Sequence, residues 1–97
     1  MELRQLRYFL AVAEEGRFAR AAERLRIAAP SLSQQIQVLE RELRVTLFER
    51  TPQRVHLTPA GEALAVRARV IIAEVDRAMD DVLVAGGRRR DHLKLRV

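Results

Sequence analysis

The sequence contains no cysteine and no tryptophan, and only two of its 97 residues are histidine. Without cysteine the chain forms neither a disulfide framework nor a thiolate zinc site. The two histidines, His56 and His92, lack the spacing of metal ligands, and no carboxylate stands near a histidine, serine or lysine in a pattern typical of catalysis. The composition therefore argues against a metalloprotein and an enzyme, and we expect no cofactor in this chain.

Long apolar runs are absent as well. The run "FLAVA" near the amino terminus is too short for the hydrophobic part of a secretory signal, and no segment approaches the ~20 apolar residues that span a bilayer. We therefore expect a soluble, cytoplasmic protein that does not contact a membrane. The hydrophobic share of 48% still favours a folded chain, and 97 residues suit one small domain with a modest core.

Acidic residues are missing from one part of the chain. None occurs between Glu23 and Glu40, although 32% of all residues are charged. The net charge is +5, and all but one of the basic residues are arginine, whose planar guanidinium suits phosphates and guanine edges. Nucleic acid is therefore a candidate partner, although excess basic charge alone does not establish it.

Apolar residues at steps of three and four predict three short helices in the first half of the chain. The first begins at Leu3, and Gly16 is expected to end it as a left-handed C-cap. The second follows at once, with apolar positions from Phe18 to Leu25. The third buries a stripe from Leu32 to Leu43, and Pro30 suits its first turn, where an amide proton has no partner.

Two short β-favouring runs, "VTLFER" and "RVHLT", flank the turn-like "TPQ" and predict a small β-hairpin. Thr58 followed by Pro59 then marks the start of a long helix that continues to about Ala85. Apolar residues alternate along it at heptad-like steps, and a small head has little surface to cover them, so we expect a second chain to do so. This dimerisation seam comprises Leu64, Ala68, Ile71, Val75, Ala78 and Val82, widened by Met79.

These elements predict a mainly α fold, a winged helix-turn-helix with a small β-hairpin wing and a long C-terminal linker helix. Residues 1–58 form the head in this interpretation, and residues 59–87 form the dimerisation helix. In residues 88–97, "HLKLRV" alternates like the first strand of a unit that the sequence does not contain. In such a fold the third helix enters the major groove and the wing reaches the backbone or the minor groove.

Two stretches carry a family resemblance. "LRQLRYFLAVAEEGRFARAAERL" and "PSLSQQIQVLERELRVTLFERTPQRVHLTPAGE" resemble the DNA-binding domain of LysR-type transcriptional regulators, over Leu3 to about Ala85. The resemblance implies a bacterial, nucleoid-associated homodimer that binds an interrupted inverted repeat in double-stranded DNA. It also implies that residues 88–97 begin a truncated effector-binding domain or a hinge, and that a small co-inducer binds the absent domain. It leaves a tetramer of the full-length protein open.

Several DNA contacts follow from the resemblance by position. Pro30 and Ser33 match the family's recognition-helix pattern, and Arg50 and Arg54 match its wing arginines. Further candidates are Ser31, Gln34 and Gln37 on the third helix, and Arg17 and Arg20 at the second. Arg17 and Ala19 replace the small hydroxyl residues that in this family often hold phosphates, and the two arginines would supply that charge instead.

Other positions depart from the family. Ala28 and Ala29 stand where a hydroxyl residue and a glutamine are usual, and Gln34 stands where an arginine is usual. The loss of a polar N-cap costs about 0.5–2 kcal/mol of helix stability. Arg44 replaces the glycine that ends the third helix, and a left-handed conformation there costs roughly 1–2 kcal/mol.

Other interpretations remain open at this point. The serines and glutamines of the third helix also suit an ordinary solvated face, Arg50 or Arg54 also suits an ion pair with Glu49, and the long helix also suits packing against its own head. The protein also suits a winged-helix regulator of the molybdate-responsive type, or a protein-interaction module in which the long helix is the functional element.

Overall fold

The computed structural model describes residues 1–87, so the prediction for residues 88–97 lies outside the described part. The fold is mainly helical with one two-stranded antiparallel hairpin, which confirms the predicted class. The elements in chain order are α1 (Leu3–Glu15), α2 (Phe18–Leu25), α3 (Ala29–Leu43), β1 (Phe48–Arg50), β2 (Val55–Leu57) and α4 (Pro59–Ala85).

The core lies where the three short helices meet the hairpin. Phe9 and Val12 of α1 are fully buried, and so are three of the four predicted core residues of α3, which are Leu32, Ile36 and Leu39. The fourth, Leu43, is half-buried against the same core. Ala21 and Ala22 are buried in α2, where their small side chains let that helix approach its neighbours closely. This packing holds α2 and α3 as a helix-turn-helix and turns the polar face of α3 outward.

Left-handed residues end each of the three short helices. Gly16 ends α1 with φ 75°, and Arg44 ends α3 with φ 58° although it is not a glycine. The left-handed conformation predicted for each of these two residues is therefore confirmed. Arg26 also has φ 58°, which the sequence analysis did not predict. The Ile27 N–H donates to the Ala22 carbonyl at 3.0 Å across that turn, so Arg26 closes the short connection between α2 and α3.

The hairpin is attached to the turn between α1 and α2. Its strands pair with Phe48 opposite Leu57 and Arg50 opposite Val55, and the Val55 N–H donates to the Gly16 carbonyl at 2.9 Å. Thr51 closes the hairpin turn, where its N–H donates to the Arg54 carbonyl at 2.9 Å. The wing therefore has a defined position beside the amino end of α2.

Helix α4 begins as predicted at Thr58, whose hydroxyl accepts from the Gly61 N–H at 3.0 Å and donates to the Thr46 carbonyl at 2.6 Å. The start of the helix lies tightly against the loop before β1. A Cβ on Gly61 would stand 2.2 Å from the Leu47 carbonyl oxygen, so only glycine fits there.

The first half of α4 packs on the head and the second half does not. Ala68, predicted for the dimerisation seam, is instead fully buried in the head's own core, because α4 crosses α1 there. Leu64 is half-buried against the same core. Further along, Ile71, Met79 and Val82 are 39%, 40% and 69% exposed, so the apolar stripe is uncovered only beyond the head.

Arg7 of α1 and Asp76 of α4 form an ion pair at 3.6 Å near the point where α4 leaves the head. Within residues 1–87, no helix is both long and apolar enough to cross a bilayer. The same residues hold no group of three or more side chains that could bind a metal ion.

Candidate nucleic-acid interface

Helix α3 presents a polar ridge on the side opposite its buried stripe. The ridge consists of Pro30, Gln34, Gln37 and Arg41, which recur at steps of four, three and four and are all exposed. Two of the predicted contacts lie beside it, with Ser31 exposed and Ser33 half-buried. Arg41 was not among the predicted contacts, although the same spacing that selects Gln34 and Gln37 also selects Arg41.

The amino ends of α2 and α3 have no side-chain cap. Ala28 is the N-cap of α3 and makes no side-chain hydrogen bond, as its methyl group dictates, and Arg17 at the N-cap of α2 makes none either. By contrast, Thr58 caps α4. Since the first amides of a helix carry partial positive charge, the open ends of α2 and α3 favour anions.

A buried glutamine supports α3 from behind. Gln5 of α1 is 5% exposed, and its Nε2 donates to the Gln35 Oε1 at 3.4 Å. Its Oε1 accepts from the Glu2 N–H at 2.9 Å, so the amide orientation is set at both ends. Gln35 therefore belongs to the contact between α1 and α3, and it is not available to the polar ridge.

Both wing arginines lie against the connection between α1 and α2. The guanidinium carbon of Arg50 is 4.5 Å from the ring centroid of Phe18, the first residue of α2. The guanidinium of Arg54 covers Gly16 so closely that a Cβ there would be 2.8 Å from its Nη2. Arg17 lies between Gly16 and Phe18, so the wing and α2 bring three arginines to one place.

We call Arg17, Arg20, Arg50 and Arg54 the arginine group. All four are exposed, and none takes part in an ion pair among the residues that the structure describes. The open alternative of an ion pair between Glu49 and a wing arginine is therefore not observed. Arg50 interacts instead with an aromatic ring, which neutralises none of its charge.

Arg24 shows the opposite arrangement on another side of α2. Its Nη1 lies 2.8 Å from the Glu14 Oε1 and 3.3 Å from the Glu15 Oε2. The hydrogen bond with Glu14, more than any other interaction, raises the pKa of Arg24 above its ordinary value. Arg24 is thus matched by two carboxylates, whereas the arginine group keeps its charge available for an external anion.

A helix-turn-helix with a wing, a polar ridge on its second helix and unmatched arginines beside it defines a winged helix domain of the DNA-binding class. Residues 3–62 match the model of the family described as "Bacterial regulatory helix-turn-helix protein, lysR family". The chain belongs to this LysR family. Its relatives are transcriptional regulators and not enzymes.

Individual relatives agree with this assignment. The regulator TfdT of Cupriavidus pinatubonensis is 46% identical over 95 residues, which cover 98% of this chain and 42% of that protein. The regulator AlsR of Bacillus subtilis is 48% identical over 80 residues, covering 82% and 26% respectively. The chain therefore spans less than half the length of these two relatives.

Solved structures resemble the fold closely. The DNA-binding domain of BenM, crystallised with the catB site 1 DNA, matches 92% of this chain and all of that chain with a TM-score of 0.88 and 43% identity. The DNA-binding domain of CbnR, crystallised with DNA, matches 89% of this chain and 99% of that chain, with a TM-score of 0.84 and 44% identity.

Proposed function

We propose that this chain is the part of a LysR-type transcriptional regulator that binds double-stranded DNA in a sequence-specific manner, as a dimer on an interrupted inverted repeat. The proposal rests on two exposed features, the polar ridge of α3 and the arginine group. No carboxylate in the described residues forms an ion pair with the arginine group. The structures of BenM and CbnR domains with DNA support the same function for a fold of this shape.

The side chains divide into two roles. Gln34 and Gln37 read base edges in the major groove, where a glutamine holds adenine with two hydrogen bonds. Ser33 reaches the same groove from the flank of the ridge, and Pro30 and Ser31 lie at the amino end of α3 near the backbone. The phosphates are bound by the arginine group and by the open amino ends of α2 and α3.

The uncovered part of α4 forms the dimer interface. Its apolar residues are Ile71, Val75, Ala78, Met79 and Val82. Basic residues Arg67 and Arg69 lie in the first half of α4, and acidic residues Asp80 and Asp81 lie in the second. An antiparallel pair of α4 helices centred near Val75 brings opposite charges together, whereas a parallel pair brings like charges together.

The proposal includes the rest of the regulator. Residues 1–58 are the DNA-binding head, residues 59–87 are the dimerisation helix, and residues 88–97 lead into an effector-binding domain or hinge. A small-molecule co-inducer is bound by that further domain and not by this chain. The full-length protein associates with the nucleoid, as a dimer or a tetramer.

Selection of bound duplexes from a random pool tests the function. We expect enrichment of an inverted repeat with a central spacer, and binding that weakens steeply as salt concentration rises because phosphate contacts release counterions. No enrichment at moderate salt would contradict the proposal and would favour a protein-interaction module instead.

Replacement of Arg20 by alanine should weaken binding to every duplex and reduce the salt dependence, since its contact is to phosphate.

A further inference from the structure

The wing is connected to the amino end of α2 through aromatic rings. Phe9 is fully buried in α1, and its ring centroid lies 5.2 Å from that of Phe48 in β1. Phe48 contacts Phe18 edge-on, with centroids 6.1 Å apart and an interplanar angle of 72°. Arg50 then covers the ring of Phe18 at 4.5 Å. This series of contacts runs from the core to a charged side chain on the surface.

The strand geometry explains why Arg50 reaches Phe18. Residues two apart in a strand point to the same side, so Phe48 and Arg50 both face α2 while Glu49 points away. Arginine suits a contact of this kind because its planar guanidinium can lie flat on an aromatic ring. Its N–H groups lie at the edge of the plane, so they remain available to a phosphate.

Gly16 provides a comparable support for Arg54. The backbone of Arg54 is held by Thr51, whose Oγ1 accepts from the Arg54 N–H at 3.1 Å. The next residue, Val55, donates to the Gly16 carbonyl at 2.9 Å. Because Gly16 has no Cβ, the guanidinium of Arg54 lies directly over the turn, where any side chain would displace its Nη2.

From these contacts we propose that Phe18 and Gly16 are positioning residues for DNA binding. Phe18 supports Arg50 through its ring, and Gly16 leaves space for the Arg54 guanidinium while its carbonyl fixes Val55. The wing and the amino end of α2 then bind the DNA backbone as one preformed unit. An arginine held in place before binding loses less side-chain freedom when it meets a phosphate, and this raises affinity without a new contact. The inference rests on the proposed DNA binding and adds residues that do not themselves contact DNA.

The test compares Phe18→Leu with Phe18→Tyr in the 97-residue chain. Leucine keeps an apolar side chain and removes the ring face, whereas tyrosine keeps the ring. We expect Phe18→Leu to weaken binding by about two- to fivefold, equally for the selected duplex and a random one. The salt dependence of Phe18→Leu should stay that of the unchanged chain, because the Arg50 contact still forms but costs more side-chain freedom. Phe18→Tyr should bind as the unchanged chain does.

A double-mutant cycle separates positioning from general loss of structure. Phe18→Leu combined with Arg50→Ala should bind no more weakly than Arg50→Ala alone, because the support has no function without the arginine. Strictly additive effects of the two substitutions would overturn the inference. Thermal unfolding of each variant establishes that the protein compared is folded.

A second variant covers the case in which Phe18→Leu does not fold. Arg50→Lys keeps the charge and removes the flat face, so it should weaken binding about as much as Phe18→Leu is expected to. If Arg50→Lys binds DNA as tightly as the unchanged chain, the contact between Arg50 and the Phe18 ring does not contribute to binding, and the inference is overturned.

If the unchanged chain shows no salt-dependent duplex binding, the proposed function itself fails. If the unchanged chain binds and the variants do not differ from it, only this inference fails.

Discussion

Two arginines, Arg26 and Arg44, have the left-handed backbone conformation that glycine usually adopts, each with φ 58°. The positive φ brings the Cβ of an L-residue too close to a carbonyl oxygen, which costs roughly 1–2 kcal/mol. Both residues end helices of the helix-turn-helix, so part of the strain in the head lies at the ends of the elements that form the candidate interface.

Replacement of Arg44 by glycine should stabilise the chain by about 1 kcal/mol, because the strain of the positive φ is removed. Unfolding in urea measures the change. Arg41→Gly is the matched control, since the same substitution inside α3 should destabilise by about 1 kcal/mol. A destabilised Arg44→Gly would show that the arginine side chain contributes more than its backbone conformation costs.

At the scale of the elements, one carboxylate joins α3 to the hairpin. The Glu40 Oε2 accepts from the Leu47 N–H at 2.7 Å, just before β1 begins. Glu40 is half-buried, and Leu47 is 1% exposed. A hydrogen bond between a charged group and a buried amide is stronger than one between neutral groups. The position of the wing relative to α3 therefore depends on this side chain as well as on the Gly16 carbonyl.

Glu40→Ala should destabilise the fold by about 1–3 kcal/mol, because the Leu47 amide loses its partner inside the protein. Urea unfolding again provides the measurement. Glu23→Ala, on an exposed residue of α2, is the control and should change stability by no more than about 0.5 kcal/mol. Equal effects of the two substitutions would show that the Glu40 hydrogen bond does not hold the loop.

The polar ridge of α3 leads to a prediction about specificity. Gln34→Ala should reduce affinity for the selected duplex by about 1–3 kcal/mol and affinity for a random duplex much less, since a base contact contributes only at the correct base. Competition binding at fixed salt measures both. Gln53→Ala, at the exposed tip of the wing, is the control and should affect both duplexes equally, since the wing contacts the backbone. An equal loss on both duplexes would rule out base reading by Gln34.

At the scale of the whole molecule, α4 divides into two parts with different partners. Its first half contributes Gly61, Ala65 and Ala68 to the core of the head. Its second half continues as an apolar stripe that the head leaves uncovered, with a groove lined by Ala78, Met79, Val82 and Leu83. The first half of α4 is thus part of the head, and the second half forms the proposed dimer interface. The orientation of the two heads in the dimer therefore depends on the stiffness of α4.

Val82→Glu should convert the dimer to monomers, because it places a charge in the proposed interface. Sedimentation measures the oligomeric state, and binding to a duplex with two half-sites should fall more than binding to a single half-site. Val66→Glu is the matched control, since Val66 is 61% exposed and lies ~160° around the helix axis from Val82. Monomers from both variants would contradict the proposed interface.

The order of the elements and the approximate bounds of the helices followed from the sequence, because they depend on residues close together in the chain. Each strand is only three residues long and is shorter than the run that predicted it. Helical periodicity, the glycine at position 16, Thr58 before Pro59 and the two short β-favouring runs each act locally, and the structure agrees with each of them. The left-handed Arg44 was expected from the family resemblance, because it replaces the glycine that usually ends the third helix. The left-handed Arg26 was not, because nothing in its side chain favours that conformation.

Only the tertiary structure decided which surface each residue faces. The heptad pattern assigned Ala68 to a dimer, but the packing of α4 across α1 buries it within the head. The wing arginines were expected simply at the hairpin, yet Arg50 lies on Phe18 and Arg54 on Gly16. These contacts join residues more than thirty positions apart. Periodicity shows which faces of a helix are apolar, and the docking of one element on another determines which partner covers them.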